Sequence, residues 1–227
     1  AHAAVISFVK VTNDADCGIS TANTYTHTID FEQSATGKTA TINGVAFTSL
    51  SGNNATFTRT VANGNATNHN GAGVVSTCGG LLDLMTGFLY NNNPSTDGTG
   101  KQTYTITGLT VGTMYDLRIY SHNWVTNDTR VNTLVFDPSG AADSTGPIDQ
   151  DHSTTVGMPN NTDSYYINYR YTATSTSLTW TAANAAGSNA SWHLYGLTNQ
   201  VVPEPATMLV LMAGGLAALL KRRRSRS

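Results

Sequence analysis

The sequence predicts an all-β fold, a sandwich of short strands. Its 227 residues include 36 threonines, whose branched Cβ suits a pleated strand, together with 21 asparagines and 21 glycines, which favour turns. Charged residues make up only 11% of the chain, well below the usual share of about a quarter. This composition is typical of an exported all-β protein, and the length is sufficient for one sizeable hydrophobic core.

Strand-like segments with alternating apolar and polar residues recur along the chain before residue 200, and turn residues separate them. About ten such segments match the pattern of a β-sandwich or jelly roll. They span residues 5–11, 24–31, 39–50, 55–61, 102–109, 114–124, 132–137, 164–173, 177–183 and 192–199. The third contains Asn43-Gly44, which predicts a tight hairpin because both residues tolerate a positive φ.

One segment departs from the strand pattern. In "LLDLMTGFLYN", residues 81–91, the apolar side chains follow helical spacing. This spacing predicts one short helix that covers an open end of the sandwich. A buried strand is the alternative, because the segment is too short for the period to decide.

A corner motif is present at residues 108–120, "GLTVGTMYDLRIY". Leu109, a turn around Gly112, Tyr115 and the alternating strand that follows resemble the strand-E-to-F corner of fibronectin-type sandwiches. The resemblance implies that the Tyr115 hydroxyl is hydrogen-bonded to upstream backbone. Such modules have only about 100 residues, and the motif is not repeated. We therefore interpret residues 4–200 as one larger jelly-roll sandwich, similar to galactose-binding-like domains.

The charge distribution separates the body of the chain from its C-terminal end. Residues 1–202 contain 7 basic and 13 acidic side chains, a net charge of −6, while the last seven residues contain five basic ones. An acidic body argues against nucleic-acid binding, which requires a basic surface. We expect no nucleic-acid partner.

An uncharged apolar run at residues 206–220 follows Pro203-Glu204-Pro205 and precedes a basic tip. As a helix it would be about 22 Å long, shorter than the ~30 Å hydrocarbon core, but basic side chains can extend the span into the headgroups. Because the run has no polar face, a transmembrane-type helix is favoured over a core helix. The basic tip at residues 221–227 predicts a cytoplasmic C-terminus and a β domain outside the cytoplasm. Its basic residues are Lys221, Arg222, Arg223, Arg224 and Arg226.

These features together, "VPEPATMLVLMAGGLAALLKRRRS", resemble a PEP-CTERM sorting signal, which we assign to residues 201–227 with its motif at 202–205. The resemblance implies a Gram-negative exported protein that is held transiently in the inner membrane. It also implies that exosortase, a membrane-embedded cysteine transpeptidase-like enzyme, recognises Pro203, Glu204 and Pro205 and cleaves nearby. The same tail is sometimes labelled an ice-binding protein C-terminal domain, a name that assigns no ice activity to the body.

The chain begins with Ala1-His2-Ala3, which has the small-x-small form that precedes signal-peptidase cleavage. We interpret residues 1–3 as a remnant of an export signal, with an arbitrary fragment start as the alternative. In an exported protein the two cysteines, Cys17 and Cys78, could form one disulfide or remain separate thiols. Neither cysteine belongs to a zinc-binding spacing.

Candidate ligand residues are concentrated in "YSHNWVTNDTR", residues 120–130, at a predicted strand end. An aromatic face beside planar polar groups suits a glycan, whereas the alternative is a tryptophan folded onto the end of the sandwich. The candidates are His122, Asn123, Trp124, Asp128 and Arg130.

Two aspartate pairs could bind calcium, since calcium takes oxygen ligands, but turn aspartates are the simpler interpretation. The pairs are Asp14 with Asp16 and Asp149 with Asp151. We expect no catalytic residues and no cofactor other than such calcium, because no hydrolase, phosphate-binding or zinc motif is present. The predicted function is therefore a non-enzymatic structural protein of the cell surface or exopolysaccharide matrix. A carbohydrate-binding module or adhesin is the alternative.

Overall fold

A computed structural model of the chain describes residues 4–31, 39–50, 53–62, 66–70, 78–92, 100–122, 124, 130–137, 142–151, 164–185 and 190–203, with backbone only at 66–70. These residues form fifteen strands and one helix, α1 (Gly80–Leu84). The strands are β1 (Val5–Val11), β2 (Tyr25–Asp30), β3 (Thr41–Ile42), β4 (Val45–Ala46), β5 (Thr48–Ser49), β6 (Phe57–Val61), β7 (Ala66–Asn70), β8 (Gly87–Asn91), β9 (Gln102–Thr107), β10 (Met114–His122), β11 (Val131–Asp137), β12 (Asp143–Asp149), β13 (Ser164–Thr172), β14 (Ser177–Asn184) and β15 (Gly196–Val201).

Two large sheets contain most of the strands. One has six strands in the order β1-β13-β10-β15-β2-β5, and the other has five in the order β12-β11-β14-β9-β6. Neighbouring strands are antiparallel except β2 and β5, which pair in parallel. Two short hairpins, β3-β4 and β7-β8, complete the pairing of the described residues.

The main core lies between the two large sheets. Phe136 of the five-stranded sheet stacks on Tyr169 of the six-stranded sheet with ring centroids 4.3 Å apart. Inward-facing residues of both sheets continue this core, among them Tyr104, Leu117, Ile119, Leu134 and Trp180. The packing confirms the predicted sandwich, whereas the jelly-roll connection of its strands stays a prediction.

A second core covers part of the other face of the six-stranded sheet. Tyr120 and Tyr166 alternate along β10 and β13 with residues of the main core, so they point to the opposite face, and Tyr195, which precedes β15, lies with them. There they pack with side chains from α1 and from the segment after β1, including Leu84 and Cys17. The six-stranded sheet is therefore buried on both faces where these side chains pack.

Two local predictions are confirmed. Asn43 and Gly44 have φ angles of 50° and 81° and join β3 to β4 as a tight hairpin. In the corner motif, the amide of Thr110 donates a 3.0 Å hydrogen bond to the Tyr115 hydroxyl, as the fibronectin-type resemblance implied.

The helix prediction for residues 81–91 is correct for only the first half of the segment. Helix α1 ends at Leu84, and β8 begins at Gly87. The change of structure follows from pairing, because Leu89 forms both backbone hydrogen bonds of a bridge with Leu194. Phe88 and Leu89 therefore lie on opposite faces of a strand, and both faces are buried. In so short a strand the apolar residues can match helical spacing, so the spacing alone did not identify it.

The chain leaves the sandwich from β15, a central strand between β10 and β2. The amide of Val201 bonds to the Thr24 carbonyl and that of Val202 to the Met114 carbonyl, each at 2.9 Å. Pro203 follows and is exposed. No helix among the described residues is long and apolar enough to cross a bilayer, and the predicted helix at 206–220 lies outside them.

Candidate functional site

Three of the five predicted ligand residues lie at one end of the sandwich, opposite the end where the chain leaves β15. His122 ends β10, Trp124 follows it, and Arg130 precedes β11. His122 is fully buried, Arg130 is 6% exposed and Trp124 is half-buried. The other two, Asn123 and Asp128, lie outside the described residues.

A buried ion pair connects separate segments of the chain at this end of the sandwich. Arg130 Nε lies 3.2 Å from an Asp151 carboxylate oxygen, and the two side chains are 7% and 0% exposed. The guanidinium also donates to the Ser191 carbonyl at 2.6 Å, and the other Asp151 oxygen accepts the Trp124 amide at 2.8 Å. Because burying charges is costly without such partners, the pair is a structural tie between three segments of the chain.

The turn after β12 supplies further ties. Asp149 accepts hydrogen bonds from the amides of Arg130 and Asp151 at 3.0 and 3.1 Å. The Gln150 side chain donates to the His193 carbonyl at 2.6 Å and accepts from the His193 amide at 2.9 Å. The predicted calcium pair Asp149 and Asp151 is thus turned towards backbone amides and a guanidinium, which are donors rather than ligands of a cation.

An aromatic cluster lies beside the ion pair. The ring of Phe88 stacks on His193 with centroids 4.0 Å apart and planes inclined by 19°. Trp124 meets the edge of Phe88 at 5.0 Å, and Tyr90 meets His193 at 5.7 Å. We call Phe88, Tyr90, Trp124 and His193 the aromatic cluster. Only Tyr90 and Trp124 in this cluster are half-buried, so they are the rings that face the surface.

His122 and Tyr195 continue the cluster inwards. Their rings lie 4.1 Å apart, and His122 Nε2 is 3.1 Å from the Met85 carbonyl oxygen. Burial raises the pKa of Tyr195 well above its ordinary value, and the negative charge of Asp151 adds to the shift. Tyr195 is therefore a neutral hydroxyl at every physiological pH.

The described side chains at this end form two groups, buried polar side chains and half-buried rings. The acid–base side chains His122, Asp151 and Tyr195 contact buried partners. The half-buried faces of Tyr90 and Trp124 offer flat apolar surface, which stacks on sugars or other planar groups. Within the described residues, no three His, Cys, Asp or Glu side chains come together to hold a metal ion.

The other aspartate pair has structural contacts too. The two Asp14 oxygens accept the amides of Gly80 and Leu81 at 3.0 and 2.8 Å, which caps the start of α1. Asp16 accepts the Thr12 amide and the Thr12 hydroxyl, the latter at 2.6 Å. These contacts support the interpretation as turn aspartates, and calcium binding stays a prediction.

The structure does not join the two cysteines. Cys17 is a buried free thiol whose Sγ lies 3.0 Å from the Asp14 carbonyl oxygen, while Cys78 is a free thiol exposed to solvent. Both nevertheless lie close to Asp14, since residue 78 immediately precedes the α1 turn that Asp14 caps. Burial also raises the pKa of the Cys17 thiol, which disfavours its reactive thiolate.

Sequence reasoning did not select several residues of this end. Phe88, Gln150 and His193 come from three separate segments, and no motif connects them to residues 120–130. Asp151 was singled out only as a calcium candidate, although its partner Arg130 was singled out for a ligand. The signal that these residues share is a polar side chain at the end of an otherwise apolar strand. A single segment of sequence does not show which of these side chains contact one another.

The C-terminal end decides how the chain is classified. A family model for the PEP-CTERM protein-sorting motif matches residues 201–225. The chain carries a PEP-CTERM sorting motif. This confirms the resemblance of the tail, and it marks an exported protein that exosortase recognises and processes at the membrane on its way to the cell surface. Of the motif residues, Pro203 is described, while Glu204, Pro205 and the basic residues Lys221, Arg222, Arg223, Arg224 and Arg226 lie outside the described residues.

No significant match to the PEP-CTERM chain occurs among curated proteins. Two solved structures show limited similarity to it. The first, the crystal structure of plant peptide RALF23 in complex with FER and LLG2, is 11% identical with a TM-score of 0.48 over 80% of this chain and 41% of that one. The second, the mosquito-larvicidal Cry4Aa toxin of Bacillus thuringiensis, is 12% identical with a TM-score of 0.35 over 65% of this chain and 24% of that one. The chain thus spans less than half of either structure, and neither similarity bears on its function.

Proposed function

We propose that this chain is a non-enzymatic structural protein of the cell surface or exopolysaccharide matrix, released there from a transient inner-membrane anchor by exosortase. The observation that carries the proposal is the sorting motif at residues 201–225, which follows the sandwich without an intervening domain. The released product then contains the sandwich, which we propose to be of jelly-roll type and similar to galactose-binding-like domains.

The contacts of the polar side chains support a structural role. Arg130, Asp149 and Gln150 each bind backbone atoms of distant segments, which fastens loops to the sandwich. Asp14 does the same for α1. A secreted protein with few charges gains loop rigidity in this way, and rigid loops resist proteolysis outside the cell.

Exosortase processing is tested by Glu204→Ala in the host organism. We expect the variant to keep the uncleaved tail and to remain with the inner membrane, because the acidic residue between the two prolines is part of the recognised motif. Glu32→Ala is the matched control, since Glu32 is the other glutamate of the chain. Unchanged mass and location of the Glu204 variant would refute the proposal.

A carbohydrate-binding module is the second candidate function, and the exposed faces of Trp124 and Tyr90 favour it. A glycan array, together with matrix polysaccharide from the host, tests this function on the protein as processed in the host. Binding that Trp124→Ala abolishes and Trp124→Phe retains would establish the module, because phenylalanine preserves an aromatic face. Absence of binding across the array leaves the structural role, whereas measured turnover of any glycan would overturn the non-enzymatic proposal.

A further inference from the structure

The end of the sandwich where the chain leaves β15, which we call the exit end, has an unusual surface. Among the described residues, Val5 and Val111 are the large apolar side chains that remain exposed, at 52% and 59%. Single exposed apolar residues are ordinary in soluble proteins. Their location is informative, because both lie at the exit end.

The strand registers establish this location. Val5 pairs with Arg170 of β13, Arg170 pairs with Asp116 of β10, and the neighbouring Tyr115 pairs with Val201. Val5 and Val201 therefore lie at the same end of the six-stranded sheet. Val111 occupies the turn immediately before β10, so it lies at this end as well.

The turn that carries Val111 is held in place. The Thr113 amide bonds to the Thr110 carbonyl at 3.1 Å, and the Gly112 amide bonds to the Ala173 carbonyl at 2.7 Å. Gly112 has a φ of 84°, a conformation that glycine adopts without strain. The exposure of Val111 is thus a property of a fixed turn, the corner that the Tyr115 hydroxyl also closes.

The part of the exit end around Val5 and Val111 carries little net charge, whereas β11 and β12 of the other sheet bring Asp137 and Asp143 to the same end. The turns at residues 108–113 and 173–176 and the exit segment at 201–203 contain no charged residue. Arg170 and Asp116 neutralise each other through two hydrogen bonds of 2.8 Å. The surface immediately around Val5 and Val111 therefore adds little charge that an anionic lipid surface would repel.

The tether between the sandwich and the apolar run is very short. Val202 is still hydrogen-bonded within the fold, and the uncharged run begins at Ala206. Four extended residues span at most about 14 Å. The headgroup layer alone accounts for about 5–8 Å of that distance on each side of a bilayer. Once the run enters the hydrocarbon, the exit end is held against the headgroups.

We infer that the exit end, with Val5 and Val111 at its surface, is a lipid-docking face of the uncleaved protein. This inference rests on the proposed anchoring of residues 206–220 in the membrane. Docking presents Pro203-Glu204-Pro205 at the depth of a membrane-embedded protease. It also directs the aromatic cluster away from the bilayer, because His122 is at the opposite end of β10 from Met114.

Site-specific fluorescence in vesicles tests this face on the full chain. The background is Cys78→Ser, which removes the exposed thiol and leaves the buried Cys17. Single labels are placed with Val111→Cys and Val5→Cys at the exit end and with Ala217→Cys inside the apolar run. The label for the opposite end is Ala15→Cys, which lies just after β1, whose last residue pairs with Ser164 beside His122. Vesicles of phosphatidylethanolamine and phosphatidylglycerol contain a nitroxide-headgroup lipid or a nitroxide-chain lipid as quencher.

We expect headgroup quenching at 111 and 5 to exceed that at 15 several-fold, with chain quenching strongest at 217. Quenching at 217 without any excess at 111 and 5 would overturn the docking face while the proposed anchoring stands. Equal quenching at 111, 5 and 15 would overturn it too, because the whole domain would then lie on the lipid. A label at 217 that neither lipid quenches would overturn both the docking face and the anchoring.

Discussion

The backbone amide of Thr110 donates a 3.0 Å hydrogen bond to the hydroxyl of Tyr115, and this contact closes the corner between β9 and β10. Tyr115 is 2% exposed, and its ring lies 5.7 Å from that of Tyr171. The corner connects the two large sheets, and it also carries the exposed Val111. Its stability therefore bears on both the fold and the exit end.

Tyr115→Phe should destabilise the protein by about 1–2 kcal/mol, because the Thr110 amide loses its partner. Chemical denaturation measures the change in the free energy of unfolding. The matched control is Tyr104→Phe, since Tyr104 is equally buried but its hydroxyl has no hydrogen-bond partner among the described residues. A loss of stability in Tyr104→Phe as large as that in Tyr115→Phe would contradict the corner assignment.

The pair of Arg130 and Asp151 gives a second prediction. Arg130→Met should cost about 3 kcal/mol or more, because it leaves the Asp151 charge buried without its cation. The double variant Arg130→Met with Asp151→Asn should be more stable than the single variant, since asparagine is neutral and its oxygen still accepts the Trp124 amide. Thermal unfolding of the three proteins measures the order, and a double variant less stable than Arg130→Met would exclude this explanation.

Acid stability depends on Asp116. Burial opposes its ionisation, but the hydrogen bonds and charge of Arg170 outweigh burial and hold the pKa of the Asp116 carboxyl below its ordinary value. A carboxyl whose pKa is lower in the folded state contributes stability above its unfolded pKa of about 3.9 and loses that contribution as pH falls through the folded pKa. The contribution is about 1 kcal/mol, since the Arg170 side chain is 48% exposed and solvent screens the pair.

We therefore expect the free energy of unfolding to fall with acidification below about pH 4, and to fall less in Asp116→Asn. Urea denaturation across this range measures both slopes. Asp83→Asn is the control, because Asp83 forms no ion pair with a described residue. Identical slopes in the wild-type protein and Asp116→Asn would show that another group controls the acid transition.

The two thiols should differ sharply in reactivity. In the folded protein, a maleimide should label Cys78 quickly and Cys17 only after unfolding, because Cys17 is fully buried and burial raises its pKa. Mass spectrometry with and without denaturant counts the labels. Protein from the host that takes up no label until it is reduced would instead demonstrate a disulfide between Cys17 and Cys78, the alternative that the sequence left open.

Much of the fold could be predicted because its signals are local. The Asn43-Gly44 hairpin follows from two residues that tolerate a positive φ, and the Tyr115 corner follows from a contact that spans five residues. The segment at 81–91 was harder, because Leu89 pairs with Leu194, a residue about one hundred positions away. In so short a segment, a helix and a strand buried on both faces can have the same pattern of apolar residues.

The candidate site shows the same limit more clearly. His122, Trp124 and Arg130 were selected from one segment, yet their contacts are made with residues of three others. Asp151 and His193 acquire their roles only when β12 and the segment before β15 meet at one end of the sandwich. The sequence could indicate single candidate residues. It could not indicate which charges neutralise each other or which rings remain exposed.

By itself, the sequence determined the all-β class, the two local turns and the sorting motif. Composition, φ preferences and charge order act over a few residues, so no distant contact was needed to establish them. Only the tertiary structure decided that Arg130 is tied to Asp151, that Phe88 stacks on His193, and that Val5 and Val111 share the end from which the tail emerges. These relationships depend on strand order and register, which join residues that are far apart in the chain.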